Sequence, residues 1–462
     1  MTAGETPRRA RARTAVDLGR QVAYDALRLV VTDDAYLNLA LVRLRAEREV
    51  TGRDAAFATE LAAGTARMQG LYDDVLGQCV RGGLEPLQAD VLVALRMGAH
   101  QLLSMRVPDH AAVGTTVELV RAAVGERPVR LANAVLRAVG RHDLEVWVRI
   151  CAPQREHDLL GHLATRYSHP RWIVEELAIA VTDTAALEAL LAADNQPPVV
   201  TLAVRPGLAS RASLVAEGVV PGRWSPYAAT MPGGGDPAAL AAVRRGTVGV
   251  QDEGSQLVAL VLANAVVEGR DMRWLDLCAG PGGKAALLTG LARHRGATLV
   301  GSDRQPHRAR LVRSALRAYG PLGTVVCADA MRPAWQEGAF DRVIADVPCS
   351  GLGALRRRPE SRWRRTPRDV ETLVPLQRAL LGSALDAVRP GGVVAYVTCS
   401  PVRAETRGVV EEVLARRCDA REEDARVLLP DVPDLGAGPH LQLWPHLHGT
   451  DAMFCALLRR TG

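Results

Sequence analysis

Two cysteines, Cys349 and Cys399, stand in loops that each follow an apolar run of the chain. The runs, at 341–346 and 392–398, have the length and composition of buried strands. Ligands of doubly wound proteins bind at the carboxyl ends of such strands, so both thiols are predicted to face a binding crevice. A thiolate in that position can serve as a covalent nucleophile.

A third loop, residues 278–284, is rich in glycine and follows the predicted strand 273–278. Glycine allows a tight strand-to-helix turn and lets the backbone approach a ligand closely. A Walker A phosphate loop is excluded, because that motif needs glycine in place of Cys278 and serine or threonine in place of Ala285. The candidate cofactor-binding residues of the loop are Cys278, Ala279, Gly280, Pro281, Gly282, Gly283 and Lys284.

Three aspartates end the candidate strands that follow this loop. Asp303 lies twenty residues after Gly283, where a carboxylate can accept hydrogen bonds from both hydroxyls of a ribose. Asp329 and Asp346 end the next two candidate strands. An aspartate at one strand end is most often a cap, but three in phase with a glycine loop predict a crevice for a nucleotide-like cofactor.

A cofactor loop beside two thiols is typical of methyl transfer to carbon 5 of a pyrimidine. Carbon 5 of cytosine is a weak nucleophile, but addition of a thiolate at carbon 6 makes it enamine-like and able to take a methyl group. An acid near N3 assists the addition, and Asp346 is placed for that role. A second thiol can assist release of the adduct. The residues by themselves do not decide which of Cys349 and Cys399 attacks.

The bulk composition is that of a globular protein with a mildly basic surface. The chain has 462 residues, 48% of them hydrophobic, and a net charge of +6, which favours nucleic acid as a partner. The eight cysteines form no CxxC pair and no zinc-like cluster with histidine, so neither a metal site nor a disulfide scaffold is expected. No apolar segment has the length of a membrane span, which predicts a cytoplasmic protein without membrane contact.

The hydrophobic pattern divides the chain into four segments. Apolar residues recur every three to four positions from 14 to 145, as in an all-α domain of five to seven helices. From 251 to 462, strand and helix patterns alternate, as in a doubly wound parallel sheet. The predicted segments are a basic flexible tail at 1–13, a helical domain at 14–145, an α+β connector at 146–250 with helical stretches near 157–167 and 171–193, and an α/β domain at 251–462.

Taken together, these motifs resemble those of the Sun/RsmB family of 16S ribosomal RNA (cytosine-5) methyltransferases, over nearly the whole chain. The stretches that carry the resemblance are 278–284, Asp303, Asp329, 346–357, 398–400 and the approach at 251–256. The resemblance implies S-adenosylmethionine as the methyl donor, bound by 278–284 and by Asp303, Asp329 and Asp346. It also implies Cys399 as the nucleophile and Cys349 as the thiol that releases the adduct.

The helical segment resembles the RNA-binding antitermination factor NusB, most clearly at 133–137. One departure from the methyltransferase family follows the nucleophile loop. The family commonly has Glu-Glu-Asn there, whereas this chain has Arg403-Ala404-Glu405-Thr406, which keeps one glutamate and lacks the asparagine.

A run of arginines follows Cys349 directly, with Trp363 among them. Beside a candidate active-site loop, such a run is predicted to contact RNA phosphates, with the tryptophan as a stacking or packing group. The run consists of Arg356, Arg357, Arg358, Arg362, Arg364, Arg365 and Arg368.

The sequence therefore predicts a multidomain protein with an all-α NusB-like domain, an α+β connector and an α/β Rossmann-like class I methyltransferase domain. Its predicted activity is cytosine-5 methylation of 16S rRNA, free or in a small-subunit precursor, by a monomer without a metal. Two alternatives remain open at this point. One is a cytosine-5 methyltransferase of tRNA or another RNA, and the other is a non-catalytic NusB-like RNA-binding factor.

Overall fold

A computed structural model describes residues 17–461 of the chain. The basic tail predicted at 1–13 lies outside the described residues. The chain divides into two compact units, of which the first ends at Ser168 and the second begins at His169. Between residues 17 and 461, no helix is long and apolar enough to cross a membrane.

The described part of the first unit is entirely helical, as its three-to-four-residue periodicity predicts. Its helices are α1 (Leu18–Thr32), α2 (Leu37–Glu47), α3 (Gly52–Arg67), α4 (Gln69–Cys79), α5 (Ala89–Leu103), α6 (Asp109–Ala123), α7 (Val129–Val139), α8 (Leu144–Cys151) and α9 (Leu159–Arg166). Helix α7 shows the pattern clearly, because Val129, Ala132, Val135, Leu136 and Val139 are its buried residues.

Glycine allows two close approaches between helices in the core of the first unit. A Cβ added to Gly64 of α3 would lie 2.2 Å from His100 Nε2 of α5, and a Cβ added to Gly98 of α5 would lie 2.5 Å from Leu136 Cδ2 of α7, so either substitution would force the neighbouring side chain to move. Helix α8 packs on the same core, since Trp147 is buried and its Nε1 donates to the carbonyl of Val139 at 2.9 Å. The α8 and α9 helices therefore belong to the helical unit, and the segment boundaries at 145 and 250 remain a proposal.

The second unit begins with two helices and a small antiparallel sheet. These elements are α10 (Arg171–Val181), α11 (Thr184–Asp194), β1 (Val200–Val204), β2 (Val220–Pro221), β3 (Ala228–Met231), α12 (Ala241–Arg244) and β4 (Val248–Val250), with strand order β2-β3-β1-β4. The helical stretch predicted near 171–193 is helical, and it is divided into α10 and α11. Thr182 adopts a left-handed conformation with φ 60°, and the side chain of Asp183 caps a new helix by accepting from the amide of Ala186.

Alternating strands and helices follow from α13 onward, as predicted. The elements are α13 (Glu253–Asn264), β5 (Arg273–Asp276), α14 (Gly283–His294), β6 (Thr298–Ser302), α15 (Pro306–Leu316), β7 (Gly323–Val326), β8 (Phe340–Asp346), α16 (Ser361–Arg364), α17 (Pro367–Ala387), β9 (Val388–Thr398), α18 (Arg407–Leu414), β10 (Ala420–Glu423), β11 (Leu441–Gln442), α19 (Pro445–His448) and β12 (Phe454–Arg460).

The strands form one sheet in the order β10-β12-β9-β8-β5-β6-β7, with β11 paired to β12. Strands β5 to β9 pair in parallel, and β12 runs antiparallel to β9. Strands β6 and β7 lie on one side of β5 in the sheet. Strands β8 and β9, which come later in the chain, lie on its other side. That reversal of strand order creates a crevice at the carboxyl edge of the sheet. The predicted Rossmann-like fold class is confirmed.

Candidate active site

The sheet brings the predicted site residues to one edge because parallel strands end on the same side. Asp276 ends β5, and the glycine-rich loop 278–284 follows it directly. Asp303 follows β6, Asp346 ends β8, and Cys399 follows β9. Asp329 and Cys349 lie in the loops after β7 and β8.

The glycine-rich loop is fixed by backbone contacts to the neighbouring strand. The amide of Ala279 donates to the carbonyl of Ser302 at 2.7 Å, and the amide of Gly280 donates to Asp303 Oδ2 at 3.1 Å. A Cβ at Gly280 would lie 2.4 Å from that carboxylate and 2.5 Å from Arg308 Nε. Glycine is therefore needed here for a close approach within the protein.

Arg308 of α15 locks the loop to Asp303, a contact that the sequence did not reveal. Its Nη2 donates to the carbonyl of Gly280 at 2.5 Å, and its Nε lies 3.1 Å from Asp303 Oδ2. The other carboxylate oxygen, Oδ1, accepts from the amide of Gln305 at 2.9 Å. Asp329 likewise has a local partner, the amide of Met331 at 3.0 Å. The cofactor-binding roles of Asp303 and Asp329 remain proposals.

Lys284 is the single lysine of the chain, and it forms an ion pair with Asp346. The ammonium nitrogen lies 2.8 Å from Asp346 Oδ2, with the Lys284 side chain 11% exposed. Burial acts to lower the pKa of Lys284, but the contact with Asp346 more than offsets burial, and the pKa is raised. The carboxylate of Asp346 therefore stabilises the protonated ammonium of Lys284.

The two thiols contact each other across the ends of β8 and β9. Cys349 Sγ lies 3.4 Å from Cys399 Sγ. The pKa of Cys399 is lowered, first by its hydrogen bond with Cys349 and further by the nearby charge of Lys284. The pKa of Cys349 is raised by the same hydrogen bond and by burial. Of the two thiols, Cys399 is therefore the one whose ionisation this arrangement favours.

Asp276 is a residue of this edge that the sequence analysis missed. Asp276 is 1% exposed, and neither carboxylate oxygen accepts a well-aligned hydrogen bond within the described chain; the nearby backbone amide of Cys278 offsets burial only in part. Burial raises the pKa of this carboxyl to about 8, with the charge of Asp346 as the next cause. The available signal was an aspartate that ends a buried strand just before a glycine-rich loop.

The arginine run after Cys349 does not form a single RNA-facing strip, and the prediction was wrong for three of its members. Arg357 forms ion pairs with Asp252 and Asp451. Arg356 is buried and donates to Gly449 O at 3.1 Å. Arg362 is fully buried; its Nη1 and Nη2 donate to Asn195 Oδ1 at 2.7 Å and to the carbonyl of Asp194 at 2.9 Å. These side chains tie the loop to the rest of the second unit.

The segment in which the family's asparagine is missing keeps an ordered turn. Thr406 stands where the resemblance leads one to expect asparagine, and its hydroxyl donates to the carbonyl of Val402 at 2.9 Å. The retained Glu405 is fully buried between the loops that carry the two thiols. Within residues 17–461, no group of His, Cys, Asp or Glu is arranged to hold a metal ion.

Known families match both parts of the chain. The model of the 16S rRNA methyltransferases RsmB/F matches residues 263–459, and the model of the NusB family matches residues 17–141. A Mycobacterium tuberculosis protein named as a methyltransferase is 48% identical over 460 residues, covering 98% of this chain and 99% of its own. Ribosomal RNA small subunit methyltransferase B of Vibrio cholerae is 32% identical over 453 residues, covering 96% and 97%.

Solved structures share the fold. The crystal structure of the protein PH0851 superposes with a TM-score of 0.79 at 21% identity, over 97% of this chain and 99% of the other. NSun6 from Pyrococcus horikoshii, crystallised with SFG, gives a TM-score of 0.53 at 19% identity, over 63% and 98%. The chain belongs to the RsmB/F family of 16S rRNA methyltransferases, and it is an S-adenosylmethionine-dependent rRNA methyltransferase with an N-terminal NusB domain.

Proposed function

We propose that this enzyme methylates carbon 5 of a cytosine in 16S rRNA through a covalent adduct between Cys399 and carbon 6. The observation that carries the proposal is the pair of thiols, 3.4 Å apart at the carboxyl edge of the sheet. A methyl transfer to oxygen or to an exocyclic nitrogen has no need of two adjacent thiols. By contrast, methyl transfer to a carbon that must first be activated does need a nucleophile such as a thiol.

The residues present fit S-adenosylmethionine at the glycine-rich loop. The donor carries an ammonium group, and the unpartnered buried carboxyl of Asp276 offers it an acceptor. Backbone amides at the start of α14 suit the donor's carboxylate, and Asp303 and Asp329 suit its ribose hydroxyls. When bound, the donor supplies an electrophilic methyl group. The proposed cofactor-binding residues are Cys278, Ala279, Gly280, Pro281, Gly282, Gly283, Lys284, Asp303, Asp329 and Asp346.

The first step that the side chains perform is activation of the base. The Cys399 thiolate adds to carbon 6, and the electrons of the 5,6 double bond move toward N3. Asp346 accepts a hydrogen bond from the Lys284 ammonium, so it can relay a proton from Lys284 to N3. Carbon 5 is then electron-rich and takes the methyl group. The proton returns by the same route when the adduct breaks.

Cys349 performs the release step. In the free enzyme its pKa is raised first by the hydrogen bond to Cys399. Once Cys399 is bound to carbon 6 as a thioether, that hydrogen bond is lost, and Cys349 can release its proton to solvent. The resulting thiolate removes the hydrogen of carbon 5, and the carbon 6–sulfur bond breaks to restore the Cys399 thiolate. One proton is released for each methyl group transferred.

The proposal also covers the oligomeric state of the enzyme, its compartment, its RNA substrate and the role of the NusB domain. The enzyme is proposed to act as a monomer in a reducing cytosol. A reducing compartment suits the mechanism, because the chemistry needs both thiols reduced and all eight cysteines are free. The NusB domain supports a ribosomal substrate, either free 16S rRNA or a small-subunit precursor, over tRNA. Its proposed role is to hold RNA near the crevice through contacts to the phosphate backbone.

Methylation assays on purified protein test the reaction. Wild-type protein with S-adenosylmethionine should place 5-methylcytosine in 16S rRNA, and bisulfite sequencing should show the same position unmodified in a deletion strain. Methylation of tRNA alone would favour the first alternative. Binding of RNA without any methyl incorporation, in protein that binds the donor, would favour the non-catalytic alternative.

A further inference from the structure

One carboxylate contacts both loops that carry the thiols. Glu405 is 0% exposed and lies in the short turn after Cys399. Its Oε1 accepts from the amide of Ser350 at 2.7 Å, and its Oε2 accepts from the hydroxyl of Ser350 at 2.5 Å. The same Oε2 accepts from the hydroxyl of Ser400 at 2.6 Å. Ser350 and Ser400 are the residues that follow Cys349 and Cys399.

A second residue completes the contacts around Cys349. The Gln377 side-chain nitrogen donates to Glu405 Oε1 at 3.0 Å and to the carbonyl of Pro348 at 2.9 Å. Cys349 is therefore held from both sides, through the residue before it and the residue after it. The carbonyl of Ser350 is fixed as well, since Arg365 Nε donates to it at 3.1 Å.

Hydrogen bonds hold both the side chain and the backbone of Glu405 in place. Four hydrogen bonds reach its two oxygens, and the backbone of Glu405 is itself anchored, because the Tyr396 hydroxyl donates to its carbonyl at 2.7 Å. Removal of a buried acceptor leaves its donors unsatisfied and releases the segments that carry them. Here those segments are the two loops that set the sulfur–sulfur distance.

We propose that Glu405 is a positioning residue of the methyl transfer, which joins the Cys349 and Cys399 loops and holds the two sulfur atoms in contact. The inference rests on the proposed function, in which one thiol attacks and the other releases the adduct. Glu405 touches neither substrate nor donor. Its contribution is to the geometry of the thiol pair, so it affects turnover and leaves binding of the methyl donor unchanged.

Three substitutions at this position separate hydrogen bonding from charge. Glu405→Gln can present its oxygen to the Ser350 amide and Gln377 and its nitrogen to the two hydroxyls, which rotate to accept. This variant should retain kcat within a few-fold of wild type. Glu405→Ala should lower kcat by about 100-fold, the effect of a displacement near 1 Å at a reacting group. Glu405→Asp, one methylene shorter, cannot reach both loops and should also lose turnover.

The assays are kcat at saturating RNA and donor, the Kd of the methyl donor by calorimetry, and the melting temperature. In Glu405→Ala, misplacement of Cys349 should also let an RNA–protein adduct persist on a denaturing gel. The matched control is Asp341→Asn at the opposite end of β8, where a fully buried carboxylate also has four donors. This control should lower the melting temperature and leave kcat unchanged.

The outcomes separate this inference from the proposed function. If Cys399→Ala is inactive while Glu405→Ala or Glu405→Asp turns over within threefold of wild type, the positioning role is wrong and the proposed chemistry stands. If Cys399→Ala itself methylates RNA, the proposed chemistry is wrong. If Glu405→Ala does not fold, Glu405→Asp decides. A Glu405→Gln variant as inactive as Glu405→Asp would also overturn the role, because its hydrogen bonds remain.

Discussion

Asp276 allows a test of the site that needs no RNA. Its carboxyl is buried without a partner, and burial raises its pKa from 3.8 to about 8. Because the folded-state pKa lies above that of the unfolded chain, stability is greatest below the unfolded pKa and falls as pH rises toward the folded pKa. The slope is about 1.4 kcal/mol per pH unit, so the loss is about 4 kcal/mol at pH 7 and less than half of that at pH 5.

Replacement of Asp276 by asparagine removes this titration and keeps the shape of the side chain. The neutral amide lacks partners just as the protonated acid does, so the difference between the two proteins is the ionisation cost. The variant should be more stable than wild type by about 4 kcal/mol at pH 7 and by less than half of that at pH 5. It should also bind the methyl donor more weakly, by about 1.5–3 kcal/mol, because an amide cannot become the charged acceptor that Asp276 forms when the donor's ammonium group favours its ionisation.

Urea unfolding at the two pH values measures the effect. Six of the seven tryptophans lie in the second unit, so fluorescence reports mainly on the unit that contains Asp276. Asp341→Asn is the control: burial acts to raise the pKa of Asp341, but contacts with Arg270 and backbone amides lower it. That carboxylate stabilises the fold above pH 4, so its variant should be less stable at both pH values.

A stability difference between Asp276→Asn and wild type that does not change between pH 5 and pH 7 would refute the reasoning. Such a result would mean that Asp276 ionises in the folded protein as easily as in the unfolded chain. An unchanged affinity for the methyl donor, in a variant with the expected pH dependence, would remove Asp276 from the donor site and leave its buried, neutral state intact.

Three further predictions concern the predicted site residues. Cys399→Ala should abolish methyl transfer and leave donor binding largely intact, so methylation near the wild-type rate would disprove its role as nucleophile. Cys349→Ala should form the adduct but release it slowly, and the RNA–protein band on a denaturing gel should vanish in the Cys349/Cys399 double variant. Normal turnover without such a band would make Cys349 a packing residue. Asp303→Ala should weaken donor binding by about 1.5–3 kcal/mol, because the ribose loses an acceptor and Arg308 loses its partner; calorimetry that shows unchanged affinity in folded protein would exclude Asp303 from the site.

The sequence determined the fold class of both units and the edge of the sheet that carries the chemistry. Hydrophobic periodicity distinguishes helices from strands without tertiary information, and α7 begins and ends where the pattern does. Strands β5 to β9 are parallel, so residues that end them or follow them must share one edge. This is why Cys349, Cys399 and the aspartates could be assigned to one crevice in advance.

Tertiary structure alone decided how these side chains interact, because a hydrogen-bond partner distant in sequence leaves no local pattern. In the sequence Glu405 is an ordinary acidic residue of a turn, yet it accepts a hydrogen bond from the amide of Ser350, fifty-five residues away. The sequence predicts that the arginines after Cys349 contact RNA phosphates, yet Arg357 forms an ion pair with Asp451, ninety-four residues away. The pKa of Asp276 likewise depends on the burial that the assembled sheet imposes. Chain periodicity fixes where a residue lies in its strand or helix, whereas its charge state and partners depend on how those elements pack.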